Sequence, residues 1–354
     1  MINPFLKYCW AGLAIASLIT IGCTNDAPPD EPAVNSATDG VSKLEQVLAK
    51  QEIVCGVNGQ LPGFSFVDET GHYSGLDVDF CRAVAAALFD DPNAVQFRDL
   101  SAQERLEMVQ NEQVDLLSRN TTWTTSRDTV AGLEFAPILF YDGQGILVTT
   151  ASGVGAIADL EGKSICVLSG TTTELNLADR MRQKNITYKP VVFDDADAMY
   201  NAYEAGLCEG ATSDRSQLIV RRAAMDNPNA HTLLPDVLSK EPLAPVVKND
   251  DSPWFDTIKW IAYALIQAEE FGINSDNLAD FIDSEDPLVR RFLGIEGQLG
   301  EDMGLSNDFA QRIIKHVGNY GEIYERNLGE PFGLERGMNS LWTEGGLLYA
   351  PPFR

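Results

Sequence analysis

Residues 146–168 read ILVTTASGVGAIADLEGKSICVL, an apolar run, a glycine-containing segment and a second apolar run that ends at Leu168. Short apolar runs bounded by turn residues are typical of buried strands. This stretch decides the fold, because a strand-and-helix pattern that has already run once along the chain begins again here. The sequence therefore predicts two α/β units.

The first unit lies before this stretch. Residues 53–57 form a short apolar strand, and the apolar residues within 78–88 recur at helical spacing. Ser101 and Glu104 have the spacing of a capping box for a second helix, and a strand follows through residues 114–117. The order strand, helix, helix, strand predicts a largely parallel sheet.

The second unit repeats the order. Its predicted elements are strand 165–168, a helix from Thr173, strand 191–193, helix 196–203, a helix through Leu218 and strand 232–234. Residues 242–247 are extended and apolar, which suits a return crossover to the first unit. A long amphipathic helix then begins at Pro253 and ends at Gly272.

These elements predict an α/β protein with two lobes, each built on a doubly wound sheet, joined by two hinge strands and followed by a C-terminal helical extension. Lobe 1 is expected to comprise residues 41–148 and 242–354, and lobe 2 residues 149–241. Ligands of such sheets bind at the carboxyl ends of the strands. We therefore expect the site in the cleft between the lobes.

The N-terminus indicates export. Lys7 precedes an apolar run to Gly22, which is short for a membrane span and predicts a signal peptide over residues 1–22. Cys23 follows in the position of a lipidated cysteine, although Thr20 stands where the lipoprotein box prefers leucine. Residues 23–40 are rich in proline and acidic residues and predict a flexible linker. We expect a periplasmic protein anchored through Cys23, with a soluble periplasmic form as the alternative.

The net charge and the cysteines further narrow the possible classes of protein. The formal net charge is −26, which argues against nucleic acid as a partner. Cys55 and Cys81 share one strand-helix unit and Cys166 and Cys208 share another, so we predict disulfides within each pair, because a bridge between the pairs would prevent hinge motion. No metal site or cofactor is expected, since the chain has no C-x-x-C and its histidines are scattered.

Several motifs resemble those of one family. They are DLLSRNTTWTTSRD (115–128), SGTTTE (169–174), TSDRS (212–216), GLDVDFCRAVAAA (75–87), VGNYGEIYERN (317–327) and the ending LWTEGGLLYAPPFR (341–354). Together they resemble the general L-amino-acid-binding proteins of polar-amino-acid ABC importers, over residues 45–354. The resemblance implies the type II periplasmic-binding-protein fold, an L-amino acid as ligand and membrane permease subunits as partners.

The residue types in these loops fit a zwitterion. Arg127 offers a planar fork for the α-carboxylate, helped by Thr122. Thr171 and Thr172 begin a helix, whose first N–H groups favour the same carboxylate. Asp214 is the expected partner of the ammonium group.

Asn120 is expected to help Asp214 bind the ammonium group. Leu61, Phe64 and Trp123 are candidates for an apolar side-chain wall. Leu168 stands where glutamine-binding relatives tend to carry lysine, so the preferred side chain stays open. Arg119 either binds an acidic side chain of the ligand or faces the solvent.

Each site residue also has a simpler interpretation. Arg127 could be a solvated arginine beside Asp128, Thr172 an N-cap, and Asp214 a cap for the helix that follows.

Other classes of protein fit the sequence less well. The glycines of 153–158 are followed by a strand too soon for a dinucleotide-binding helix, and Ile157 stands where a P-loop needs glycine. No hydrolase motif is present. A periplasmic amino-acid sensor and a dehydratase on the same scaffold remain as alternatives. We expect a binding protein rather than an enzyme, and a monomer.

Overall fold

A computed structural model describes residues 40–129 and 131–354. The predicted signal peptide, Cys23 and the linker up to residue 39 lie outside the described residues. Within the described part of the chain, no helix is both long enough and apolar enough to cross a membrane.

The strands that were predicted lie close to their expected positions, and the structure adds others, such as Val95–Asp99 and Gly210–Asp214, that were not predicted. In chain order they are β1 Ile53–Val57, β2 Gln60–Leu61, β3 Ser65–Val67, β4 Tyr73–Ser74, β5 Val95–Asp99, β6 Leu116–Leu117, β7 Leu133–Phe135, β8 Phe140–Thr149, β9 Ser164–Leu168, β10 Lys189–Phe193, β11 Gly210–Asp214, β12 His231–Leu233, β13 Lys240–Leu243 and β14 Val246–Lys248. The strand predicted from Ile146 begins at Phe140, because residues 140–143 pair with β13 before β8 enters its sheet.

The α-helices cover both predicted units and the C-terminal region. They are α1 Lys43–Lys50, α2 Leu76–Phe89, α3 Arg105–Gln110, α4 Thr125–Thr129, α5 Thr172–Lys184, α6 Ala196–Glu204, α7 Arg215–Ala223, α8 Ser252–Glu270, α9 Leu278–Phe281, α10 Pro287–Phe292, α11 Leu299–Asp302, α12 Phe309–His316, α13 Tyr320–Tyr324 and α14 Glu330–Phe332. The predicted capping box exists: Ser101 N–H donates to Glu104 Oε1 (2.7 Å), and Glu104 N–H donates to Ser101 Oγ (3.2 Å).

Two sheets form the framework. The first has the strand order β5-β1-β6-β14-β7, and the second has the order β10-β9-β11-β8-β12. In each sheet the central strands are parallel and a returning strand is antiparallel, β14 in the first and β8 in the second. We call the elements around the first sheet lobe 1 and those around the second sheet lobe 2. The two-lobed α/β fold predicted from the sequence is confirmed.

Two antiparallel strands connect the lobes. Residues 140–143 of β8 pair with residues 240–243 of β13, and each strand then continues toward a different sheet. β8 extends into the second sheet, whereas β13 leads through Ala244 and Pro245 into β14 of the first sheet. Within residues 40–129 and 131–354 the chain passes between the two sheets along this pair, so the pair is where relative motion of the lobes would be absorbed.

The C-terminal extension packs on lobe 1. Helix α12 lies against α2 and α8. The carboxylate of buried Asp79, in α2, accepts hydrogen bonds from Arg326 Nε (2.8 Å) and Asn327 Nδ2 (2.7 Å). Near the connecting strands, Tyr320 donates through its hydroxyl to the carbonyl of Leu139 (2.6 Å). The GLDVDF and YERN motifs are thus joined by an ion pair between buried Asp79 and exposed Arg326, and they support the fold.

The structure contains the two predicted disulfides. Cys55 of β1 bonds Cys81 of α2, with Cα atoms 6.3 Å apart, and Cys166 of β9 bonds Cys208, with Cα atoms 5.6 Å apart. Each bridge lies inside one lobe, so neither restrains the connection between the lobes. No cluster of metal-binding side chains occurs in residues 40–129 and 131–354.

Candidate functional site

A cavity lies between the lobes, at the loops that follow the strands. It encloses about 460 Å³, part of it open to solvent. From lobe 1 it is lined by Asn58, Leu61, Ala102, Arg105, Arg119, Asn120 and Thr122, and from lobe 2 by Leu168, Thr171, Thr172, Thr173, Ala196, Ser213, Asp214, Gln217 and Arg221. Six of the residues that the sequence suggests as ligand-binding candidates line this cavity: Leu61, Asn120, Thr122, Thr171, Thr172 and Asp214.

The lobe 1 wall is held in place by Asp77, in the first turn of α2. Its carboxylate accepts hydrogen bonds from the backbone N–H of Asn120 (2.9 Å) and the hydroxyl of Ser118 (3.2 Å). Asn120 has a φ of +31°, a conformation that asparagine tolerates better than most residues. Burial raises the pKa of Asp77 to about 6, against the lowering effect of these two hydrogen bonds. Asp77 thereby fixes the loop that carries Asn120 and Thr122.

The lobe 2 wall is formed by the beginning of α5 and the end of β11. Thr171 is the N-cap of α5, since its hydroxyl accepts from Glu174 N–H (3.2 Å), so Thr172 is the first helical residue rather than the cap. The N–H groups of a first helical turn lack intrahelical acceptors. Thr173 is fixed by Gln144 of β8, whose Nε2 donates to the carbonyl of Thr173 (2.8 Å).

Asp214 precedes α7 but does not cap it. Its side chain makes no capping hydrogen bond, and Oδ2 instead accepts from Gln217 Nε2 (2.8 Å). The residue is only 4% exposed. Burial raises the pKa of Asp214 well above its ordinary value, and the charges on Asp142 and Glu241 add to that effect. A buried carboxyl with a raised pKa on the cavity wall is suited to receiving a cation.

Glu241, in the connecting strand β13, joins the two walls. Its Oε2 accepts hydrogen bonds from the hydroxyls of Thr122 (2.6 Å) and Thr172 (2.8 Å), and Oε1 accepts from Asn176 Nδ2 (2.8 Å). A carboxylate only accepts hydrogen bonds, so both threonine hydroxyl protons point toward Glu241. The two hydroxyl oxygens are then left as acceptors, while donation to a ligand falls to backbone N–H groups.

Asp142, a half-buried residue of β8, is the third acid near the connecting strands. Its Oδ1 accepts from Gly143 N–H (2.7 Å), and its Oδ2 accepts from the hydroxyl of Ser216 at the start of α7. Burial raises the pKa of Asp142 to about 6, partly offset by these donors. Asp142 is not part of the cavity lining. It therefore acts on Asp214 through its charge.

Arginines balance these acids on the lobe 1 side. Arg105 is 4% exposed; Nη1 reaches the carbonyls of Arg119 (3.4 Å) and Asn120 (3.5 Å), and Nε has no hydrogen-bond partner in the described residues. Burial lowers the pKa of Arg105, and the charges on Arg119 and Arg127 lower it further. Burial lowers the pKa of Arg119 to about 10, so this side chain remains a cation at neutral pH.

Arg127 lies in α4, beside the cavity rather than in its lining. Nη1 donates to the carbonyl of Thr122 (2.8 Å), which links Arg127 to the loop of the lobe 1 wall. Burial lowers the pKa of Arg127, while the charges on Glu241 and Asp214 oppose the change. Arg105, Arg119 and Arg127 all lack an Asp or Glu oxygen within 4.0 Å among the described residues. Three cations without ion pairs thus face or flank the cavity.

Two of the predicted apolar residues lie away from the cavity. Phe64 is 1% exposed and packs edge to face against Phe140, with ring centroids 5.1 Å apart. Trp123 is 37% exposed and stacks on Phe135, with centroids 5.8 Å apart. Leu61 is the one of the three that lines the cavity.

Contacts across the cleft bring the lobes together. Arg221 of α7 donates through Nη2 to the carbonyl of Gln60 (2.7 Å) and through Nη1 to Asp197 (2.6 Å). Gln103 of lobe 1 donates to the carbonyl of Asp194 (3.3 Å) in lobe 2. The cleft is therefore closed in this structure.

Sequence reasoning missed Arg105, Glu241, Gln217 and Arg221. Arg105 sits in a predicted amphipathic helix, where an arginine ordinarily faces solvent. Glu241 did leave a signal, because it is an acid inside the otherwise apolar extended stretch of the connecting strand. Gln217 and Arg221 lie on α7, at positions that a helical pattern assigns to the polar face.

Comparison with known proteins gives the family. Residues 53–281 match the family described as bacterial extracellular solute-binding proteins, family 3. The chain is 48% identical over 326 residues to the general L-amino acid-binding periplasmic protein of Rhizobium johnstonii, covering 91% of this chain and 96% of that protein. It is 45% identical to the glutamate/glutamine/aspartate/asparagine-binding protein of Rhodobacter capsulatus, covering 91% and 96%.

A solved structure agrees with these relatives. The periplasmic binding protein of an ABC transporter from Brucella ovis, solved with glutathione bound, is 45% identical, with a TM-score of 0.87 over 89% of this chain and 100% of that chain. The fold and cleft are those of a type II periplasmic binding protein. The chain belongs to the family 3 bacterial extracellular solute-binding proteins, as its sequence motifs indicated.

Proposed function

We propose that this protein is the extracytoplasmic receptor of an ABC importer, which captures an L-amino acid between its lobes and delivers it to a membrane permease. The observation that carries the proposal is the charge distribution of the cavity. A buried carboxylate, Asp214, faces it from lobe 2, and arginines without ion pairs face or flank it from lobe 1. This is the complement of a zwitterion. The names of the relatives from Rhizobium and Rhodobacter support an amino-acid ligand.

The zwitterion is held by both lobes. Arg127 binds the α-carboxylate, because its guanidinium fork matches the two oxygens. The backbone N–H groups of Thr122, Thr171 and Thr172 complete that site, at the positive end of α5. Asp214 binds the ammonium group, with the Asn120 side chain and the free lone pairs of the threonine hydroxyls as further acceptors.

The side chain of the ligand lies against Leu61 and Arg105. Arg105 is a buried cation without a carboxylate partner, so it favours a side chain that ends in a carboxylate or an amide oxygen. Phe64 and Trp123 do not line the cavity; Phe64 packs on Phe140 and Trp123 packs on Phe135. Glutamate, glutamine, aspartate and asparagine are the expected preferred ligands.

Closure accompanies binding. Residues 41–148 and 242–354 move as lobe 1, and residues 149–241 move as lobe 2, about the paired strands β8 and β13. Ligand favours the closed state, because only that state brings Asp214 and Thr172 onto a ligand already held by lobe 1. The contact between Arg221 and the carbonyl of Gln60 supports the closed form.

The protein is anchored through Cys23 and acts as a monomer without catalytic activity. The linker up to residue 40 lets the lobes reach the permease from the membrane surface. The relatives from Rhizobium and Rhodobacter are named for amino-acid binding, which supports a receptor over the dehydratase alternative. A sensor would share the binding site but pass the signal to another segment.

A thermal-shift screen of residues 41–354 against the twenty L-amino acids, with D-glutamate and D-glutamine as controls, tests the proposal. Ligands of the native state raise the melting temperature in proportion to occupancy. We expect shifts with the L-forms of the acidic amino acids and their amides and none with the D-forms. A screen with no response to any L-amino acid, or product formation during incubation, would contradict the receptor function.

A further inference from the structure

A second cavity continues the first one. It encloses about 490 Å³, part of it open to solvent, and shares five lining residues with the amino-acid cavity: Asn58, Ala102, Arg119, Leu168 and Ala196. The two cavities are therefore adjacent, with these five residues forming their common wall.

Arg119 stands at the junction of the two cavities. It is 5% exposed, and its Nε donates to the carbonyl of Leu100 (2.7 Å), which fixes the guanidinium group. Among the described residues, Nη1 and Nη2 of Arg119 have no hydrogen-bond acceptor and no ion pair. Arg221 in the same cleft differs, because its guanidinium is paired with Asp197. A buried, fixed and unpaired guanidinium is costly unless an anion binds it.

The amino-acid site leaves Arg119 unused. In the proposed function Arg127 binds the α-carboxylate, Asp214 binds the ammonium group and Arg105 faces the end of the side chain. An ordinary amino acid offers no further anion for Arg119. The charge pattern therefore matches a ligand that carries an additional carboxylate farther along the cleft.

The chemistry of the zwitterion site limits where such a ligand can be extended. A peptide bond at the α-amino or α-carboxyl group would remove the charge that Asp214 or Arg127 binds. The extension must leave through the side chain. The second cavity is also lined by three exposed acids, Asp99, Asp194 and Asp195, which disfavour an anion beside them, so the distal carboxylate belongs at buried Arg119.

We propose that Arg119 forms a second anion-binding subsite, which binds the distal carboxylate of amino acids extended through their side chain, as in γ-glutamyl dipeptides. This proposal rests on the proposed function, because the same α-carboxylate and ammonium groups must be held first. The receptor then captures free amino acids and side-chain-linked peptides in one cleft.

Isothermal titration of residues 41–354 tests the subsite with matched ligands. The probes are γ-L-glutamylglycine, its C-terminal amide, L-glutamine and L-glutamate. The peptide and its amide have the same length and differ only in the distal charge. Loss of one partner of a buried charge pair costs at least about thirtyfold in affinity, so we expect γ-L-glutamylglycine to bind that much more tightly than the amide.

Arg119→Gln gives the second test. It should abolish the difference between the peptide and its amide, and weaken γ-L-glutamylglycine far more than L-glutamine. Arg119→Lys, which keeps the charge, should restore part of the difference. If Arg119→Gln does not fold, the peptide and amide titrations on the unmodified protein still decide the question.

The outcomes separate the two proposals. Equal binding of the peptide and its amide, or no binding of the peptide while L-glutamate or L-glutamine binds, would overturn the subsite and leave the receptor function standing. Equal weakening of all four probes by Arg119→Gln would assign Arg119 a structural role and also overturn the subsite. If none of the twenty free L-amino acids binds, the proposed function itself fails.

Discussion

Replacing Asp214 by asparagine removes the negative charge that faces the cavity and keeps the volume of the side chain. The ligand ammonium group would then be buried without its counter-ion. Truncating one partner of a buried charge pair costs about 2–5 kcal/mol, which is roughly thirtyfold to several thousandfold in affinity. We expect the low end of this range, because Asn120 and the threonine hydroxyl oxygens remain as acceptors.

The same substitution should not destabilise the unliganded protein. The pKa of Asp214 is raised in the folded state, by burial first and then by the charges on Asp142 and Glu241. An acid whose pKa is raised on folding makes the folded state less stable as pH rises from the unfolded pKa through the folded one. Asp214→Asn should therefore equal or exceed the parent protein in stability at pH 7, and the gain should shrink as the pH falls toward 4.

Ligand binding should depend on pH through the same group. The ammonium group of the ligand favours the ionised carboxylate, so binding releases a proton wherever Asp214 is protonated in the free protein. Affinity should rise with pH until it passes the pKa of unliganded Asp214, with a limiting slope of about tenfold per pH unit. Below that pKa, the ligand affinity of Asp214→Asn should change much less with pH than the affinity of the parent protein.

Isothermal titration and thermal unfolding between pH 5 and pH 8, on the parent protein and Asp214→Asn, measure all three effects. Asp142→Asn is the matched control, because Asp142 is a neighbouring acid whose pKa is also raised but does not line the cavity. It should weaken binding far less than Asp214→Asn does. Unchanged affinity in Asp214→Asn, or a lower melting temperature without ligand, would refute the assignment of Asp214 to the ligand ammonium group.

Three further predictions follow from the contacts. Arg127→Lys loses the bidentate fork and should weaken L-amino-acid binding by about tenfold or more in isothermal titration; unchanged binding would remove Arg127 from the site. Glu241→Ala leaves several buried donors without an acceptor, so urea unfolding should show a loss on the order of 3 kcal/mol or more, and a loss under about 0.5 kcal/mol would contradict the network. Replacing Cys166 and Cys208 by serine should lower unfolding stability by about 2–4 kcal/mol yet leave ligand affinity within about twofold, because the bridge lies inside lobe 2; a large loss of affinity would show that it shapes the site.

Local sequence signals were enough for the framework. The apolar strands, the helix from Pro253 and the second start of the pattern after residue 146 all depend on the periodicity of neighbouring residues. The disulfide pairing was also accessible, because each pair of cysteines falls within one unit of the chain. The shortest strands were less accessible: β2 and β4 contain two residues each, were not predicted, and are strands through their pairing with β3.

The binding loops were identified by residue type and by resemblance, whereas their chemistry depends on distant partners. Thr122 was expected to bind the ligand carboxylate with its hydroxyl and its backbone N–H, and Thr172 with its backbone N–H. In the structure both hydroxyls donate to Glu241, which is 119 residues from Thr122 in the chain. The hydroxyl of Thr122 is therefore not free to donate to the ligand, and its backbone N–H is left for that role.

The sequence by itself determined the class of fold, the two units, the disulfides and the loops that meet in the cleft, because each of these depends on patterns within short stretches. Only the tertiary structure decided which charges face one another. Arg105, Arg119, Asp142 and Asp214 come from separate elements, and their perturbed pKa values arise from burial and from charges that are distant in the chain. Burial and electrostatic interactions depend on distances in space rather than along the chain, so no local sequence pattern indicates them.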